Sequence, residues 1–110
     1  MSNSAVISYF GIIIDMSEED IVSLETRTHP LIAMCKSNSL DHYWGNFSTD
    51  SESYKILIGK QIAKIGFEDS MYSSMSISDV RSIMLDVETK LNAAGLSNKM
   101  GMHIILEPNS

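Results

Sequence analysis

Cys35 and three histidines, His29, His42 and His103, are the residues that could support nucleophilic or metal chemistry. A thiol becomes a nucleophile only where a neighbouring base or cation holds it ionised. Cys35 lies in "LIAMCK", an apolar run without a catalytic signature, and reads as a packed side chain. Zinc needs several nitrogen or sulfur donors at short, recurrent spacings. None of these four residues stands at i, i+2 or i, i+4 to another. Carboxylates offer acid/base chemistry. Asp15 closes an apolar stretch from which a side chain can reach a cleft, and Asp41 adjoins His42. The simpler role for both aspartates is to end strands and accept backbone N–H bonds. Neither GxGxxG nor GxxxxGK[ST] occurs, and "GKQIAKIG" reads as strand rather than phosphate loop. "KILIGKQIAK" carries lysines but none of the aromatic residues on which RNA bases stack. The expectation is a protein with no catalytic residue, metal or cofactor.

Interaction chemistry is better represented. "DHYWGNFSTD" (41–50) holds the single tryptophan, and "MYSSM" (71–75) adds Tyr72 and two methionines. These residue types anchor protein interfaces. As a strand, the first stretch splits between two faces, with Tyr43, Gly45 and Phe47 on one and His42, Trp44 and Asn46 on the other. Whichever set the helices leave uncovered is a contact patch or an oligomer interface.

The formal charge is −6. Residues 1–52 hold eight of the fourteen acids against Arg27 and Lys36 alone, while residues 53–110 carry six acids and six bases. All the net charge is therefore in the first half. Such a field repels nucleic acid, which demands clustered Lys and Arg, and would steer a basic partner. The opening residues contain no Lys or Arg, and their apolar run is short and broken by Ser8 and Gly11. Neither a secretory leader nor a bilayer span is expected, and a cytoplasmic location is.

A chain of 110 residues is one domain. "AVISYFGIIID" reads as a central strand, with Gly11 at a bulge or a close backbone approach. Ser17 caps a helix whose first turn holds Glu18, Glu19 and Asp20, where the helix dipole favours anions. Pro30 stops that helix near Thr28 and opens "PLIAMCKS", read as a short helix. "HYWGNFS" and "YKILIGKQIAKIGF" form a hairpin joined by the polar "TDSES", with a bulge or bend expected at Gly59. "EDSMYSSMS" is a loop. In "SISDVRSIMLDVETKLNAAG", Ile77, Val80, Ile83, Met84, Val87, Leu91 and Ala94 recur at helical spacing as one stripe, Ser76 is the cap, and Gly95 is a left-handed stop. "GMHIILE" is the last strand. The order predicts an α+β, ferredoxin-like β-α-β-β-α-β sandwich. Its four-stranded antiparallel sheet would have two helices on one face and the first and last strands, the most apolar, in the middle.

Together these features predict a small acidic protein-binding module, most concretely a stoichiometric inhibitor of the immunity type that neutralises a basic partner such as a nuclease toxin. Asp15, Glu18, Glu19, Asp20, Glu25 and Asp41 would supply the charge, with His42, Trp44 and Tyr72 beside them. The alternatives are a homo-oligomeric small-molecule-binding protein or enzyme, with Asp15, Asp41, His42 or His103 in a pocket, and a structural or assembly subunit. The oligomeric state is left open.

Overall fold

Two apolar strands pair at the centre of the molecule. In the computed structural model, which describes residues 4–48, 53–66, 70–96 and 99–107, β1 (Ala5–Asp15) and β3 (Tyr54–Gly66) run antiparallel along nearly their whole lengths. β2 (Asp41–Asn46) lies outside β3, and β4 (Gly101–Glu107) lies outside β1. The protein is thus an α+β structure with a four-stranded antiparallel sheet in the order β2-β3-β1-β4. The expected middle position of the last strand is wrong. β3 takes it, because its thirteen residues are long enough to pair on both sides, and the apolar β4 is an edge.

Three helices, not two, accompany the sheet: α1 (Glu18–Glu25), α2 (Pro30–Ser37) and α3 (Ile77–Ala93). Each start has a local cause. Ser17 accepts the Asp20 N–H, and Asp20 returns a bond to the Ser17 backbone, which closes a capping box on α1. His29 caps α2 through Nδ1, which accepts the Leu31 N–H at 3.1 Å, and Pro30 occupies the first turn. Ser76 accepts the Asp79 N–H at 3.1 Å to start α3, and Gly95 follows α3 with φ +78°. α1 ends at Glu25, short of the expected Thr28, because Arg27 takes a left-handed backbone with φ 60°, and Pro30 then opens α2 as a separate helix.

All three helices pack on one sheet face. Leu24 of α1, Cys35 of α2, and Val87 and Leu91 of α3 join Phe10, Ile12, Ile56 and Ile58 in one buried cluster. These strand residues share a face because Ile12 pairs with Ile58 and Ile14 with Ile56. Trp44 pairs with Ile56 and His42 with Ile58, so both lie on the helix face, and Trp44 packs half-buried against the cluster. Tyr43 and Phe47 therefore occupy the opposite face. Their rings stack 6.1 Å apart above Gly45, which has no side chain to separate them. No helix residue joins the cluster there. Ile7, Tyr9 and Leu57 are buried by Ile13, Tyr43, Phe47 and Ile105, and a 3.3 Å Lys64–Glu107 ion pair spans from β3 to β4 across β1.

Gly59 does not sit at a bulge. The irregularity lies farther on, where Ser8 pairs with Ala63 and Tyr9 with Gln61, leaving Ile62 unmatched. Gly59 pairs directly with Gly11, and the two backbones nearly touch. A Cβ on Gly59 would lie 2.0 Å from the Phe10 carbonyl oxygen, and one on Gly11 2.0 Å from that of Ile58. Gly59→Ala is therefore expected to force the central strands apart and to lower unfolding free energy by roughly 1–3 kcal/mol, the usual cost of overpacking. Urea denaturation measures this directly, and an unchanged midpoint would contradict it.

Candidate functional site at the step between β2 and β3

β2 pairs only with Tyr54–Gly59. Beyond it, β3 continues with its outer edge open. At this step lies a half-open concavity of about 1070 Å³, walled by α1, α2, β2 and the middle of β3. Leu24, Ile32, Leu40 and Trp44 give it apolar surface, while Arg27, Lys36 and Lys60 put three cations on it. In a chain with eight Lys and Arg and net charge −6, this is a local inversion of sign. Lys60 Nζ stands 3.9 Å from an Asp41 oxygen. Arg27 and Lys36 have no ion-pair partner among the described residues. Arg27 also holds a left-handed backbone, φ 60°, a conformation unusual for a residue other than glycine.

Asp41 does structural work here. Its carboxylate accepts the Gln61 N–H at 2.9 Å, satisfying one group of the open β3 edge. Lys60 and Lys64 lie on the same unpaired stretch, where charge discourages another strand from pairing. Tyr9 reaches the site from β1, its hydroxyl 3.4 Å from the His42 carbonyl oxygen, which can accept from it. The phenol must cross β3 to do so, and Gly59 leaves the way clear on that face. Burial, with Asp41 and Glu107 nearby, pushes the Tyr9 hydroxyl from 10.0 to about 12. Burial likewise pushes the Cys35 thiol to about 11, with Asp41 adding to it.

The structure gathers some of the expected site residues and scatters others. Asp41, His42 and Trp44 all line the concavity. Trp44 does so while packed on the core, and His42 is exposed. Asp15 is bound to Lys55. Asp20 is engaged by the capping box and by His29, whose Nε2 lies 3.0 Å away. Since Nδ1 of His29 accepts a bond, Nε2–H is the donor to Asp20. Hydrogen bonds from Ser17, then the one from His29, hold the Asp20 carboxyl below its ordinary value. Glu18, Glu19 and Glu25 are exposed on α1 with no ion pair among the described residues. Tyr72 is exposed in the segment before α3. Asp15, Asp41, His42 and His103 do not share a pocket. His103 is on β4, three strand positions from β2, with its Nε2 3.3 Å from the Gly11 carbonyl oxygen. Among the described residues no three of His, Cys, Asp and Glu gather as a metal site, and no helix is long and apolar enough to cross a membrane.

Arg27, Lys36, Lys60 and Tyr9 are the lining residues that sequence reasoning missed. They are distant in sequence and without a shared pattern, and only the premature end of β2 brings them together. No family model, curated protein or solved structure matches the chain.

The raised Tyr9 and Cys35 values set an alkaline limit on stability. Both groups are held protonated in the folded state, so their contribution is whole below the ordinary thiol and phenol values and is lost as pH rises through about 11 and about 12. The urea midpoint should be level near neutrality and fall between pH 9 and pH 12, with Tyr9→Phe flattening the upper part. A midpoint unchanged up to pH 12 would refute the assignment. In the same samples Cys35, 1% exposed, should react with a thiol reagent at pH 8 at least about a hundredfold more slowly than in urea.

Proposed function

We propose that the protein is a non-enzymatic binding module whose recognition surface is the α1–α2–β2 side. The observation that supports this reading is the concavity at the β2–β3 step, which brings Asp41, His42 and Trp44 together beside a helix bearing the exposed Glu18, Glu19 and Glu25. Its partner is a protein with a basic surface, and the most concrete form is a stoichiometric inhibitor of a nuclease-type toxin in the cytoplasm of the cell that makes it. The glutamates attract the basic surround at long range, and the concavity fixes register. Arg27, Lys36 and Lys60 would meet an acidic or carbonyl group within the partner's basic surface, a combination that discriminates among basic proteins. The scaffold is read as a ferredoxin-like sandwich whose first crossover helix is broken at Pro30 into α1 and α2. The β2–β3 hairpin and the single crossover through α3 support that reading.

Affinity capture at about 50 mM salt, with the intact protein as bait, should retain a basic protein that is released as salt rises. The triple variant Glu18→Lys, Glu19→Lys, Glu25→Lys should slow association about tenfold or more, measured on the purified pair by surface plasmon resonance. Recovery of partners whose binding ignores both salt and the triple variant would sink the proposal.

The cation-lined wall favours a second reading, a small-molecule site for an organic or phosphate anion. Inorganic phosphate or citrate at millimolar concentration should then raise Tm, and Lys36→Glu should abolish the rise. A Tm indifferent to both anions would exclude these two as ligands.

A further inference from the structure

The opposite side of the molecule is apolar. Ten large hydrophobic side chains are exposed among the described residues, and seven of them belong to β1, β4 and α3. On the sheet, Val6, Met102, Ile104 and Leu106 are 41%, 51%, 69% and 64% exposed. They share the helix face, since Met102 pairs with Phe10, Ile104 with Ser8 and Leu106 with Val6. The other three, Ile77, Met84 and Leu85, lie on one flank of α3. That flank faces β4, because Ser82, Ile83, Asp86 and Lys90 line a groove with Leu40 and Lys60 on the β3 side, and helical spacing sets Ile77, Met84 and Leu85 opposite them. The apolar stripe that the helical spacing predicts is thus only partly covered. Val87 and Leu91 are buried, and Ile77 and Met84 are not.

β4 also lacks edge protection. Proteins blunt exposed edges with lysine, proline or a bulge, and Gly101–Glu107 contains no Lys, Arg or Pro and pairs with β1 without a register shift. Its one formal charge, Glu107, is held by Lys64.

We infer that this side is covered by a second copy of the chain, with β4 pairing antiparallel to β4 of that copy about a two-fold axis. Three observations select a second copy. An antiparallel edge is self-complementary, so one strand can satisfy its own outward backbone groups. Charge is complementary too. Arg81 and Glu88, neither with an ion-pair partner among the described residues, stand two turns apart on the same α3 flank, with Met84 and Leu85 midway between them. Two antiparallel copies of α3 place Arg81 of each opposite Glu88 of the other. The area is also sufficient. At roughly 100 Å² per aliphatic side chain, the figure that ~2.5 kcal/mol at ~25 cal/mol per Å² implies, the seven offer on the order of 400 Å². A standard interface buries about 800 Å² per partner, a little over half of it apolar.

Sedimentation velocity of the intact protein between about 1 and 500 μM is expected to show a monomer–dimer equilibrium. Ile104→Lys should raise the dissociation constant at least about a hundredfold, with circular dichroism confirming the fold. Should that variant not fold, the exposed helix positions carry the test. Arg81→Glu alone and Glu88→Arg alone should each weaken the dimer, and the two together should restore it. Hydrogen exchange on the native protein should slow at β4 amides as concentration rises. A monomer at every concentration overturns the inference, as does a dimer indifferent to Ile104→Lys and to both charge reversals. None of these variants touches the α1 side, so loss of the dimer and loss of partner binding are separately readable.

Discussion

The close pairing of β1 with β3 is the constraint from which the rest of the molecule follows. Two glycines meet at its middle, Gly11 against Gly59, and on either side of them the strands bury side chains on both faces. Ile12, Ile56 and Ile58 go to the helices, and Leu57 goes to the other face. Once these two strands are joined, β2 and β4 can only be edges. Each edge then acquires its own character from its length and composition. The hydrophobic gain sits where helices and strands meet, since fully burying an isoleucine or leucine is worth roughly 1.5–3 kcal/mol. This explains why Leu24, Cys35, Val87 and Leu91 all converge on the same central strip.

The two edges differ in length and in charge. On one side β2 stops early, and β3 runs on, paired with β1 but with its outer edge open. Asp41 caps a free amide, and Lys60 and Lys64 charge the exposed edge. The concavity at this step is a geometric consequence of strands of unequal length, and its cations arrive there from the α1–α2 turn, α2 and β3. On the other side β4 ends the sheet without a charge that is not already paired. The first half of the sequence carries all the net charge, and its two helices and β2 lie on the β3 side, so the acidic field and the apolar patch are spatially opposed.

Much of this was legible in residues with local causes. Ser17, Ser76 and Gly95 mark helix ends through interactions that span a few positions, and Pro30 opens α2 as the sequence indicates, whereas α1 already ends at Glu25, short of Thr28, at the left-handed Arg27. The limits of β1 and β4 were equally plain, because "AVISYFGIIID" and "GMHIILE" are bounded by polar and turn residues. Non-local properties were not legible. Nothing within "GMHIILE" distinguishes a central strand from an apolar edge, since both read as a continuous hydrophobic run. The face of Trp44 depends on its pairing with Ile56, a register set by a hairpin whose residues 49–52 lie outside the described structure. The site was legible only in part for the same reason. Asp41, His42 and Trp44 are adjacent in sequence, whereas Arg27, Lys36 and Lys60 meet them through tertiary structure alone.

The misplacement of β4 is itself informative. Its apolarity predicts burial, and within one chain that burial does not occur, because Met102, Ile104 and Leu106 remain half or more exposed. A sequence that spends charge so freely on α1, and places lysine on the open stretch of β3, leaves one edge bare. Isolated exposed hydrophobics need no explanation, but seven collected on one side do. A second copy supplies the missing burial without adding any new contact type, since strand would meet strand and helix flank would meet helix flank. The sheet would then run through eight strands, with its two acidic α1 sides at the far ends. Such a dimer keeps like charges as distant as the fold allows, which removes the electrostatic objection to self-association in a chain of net charge −6.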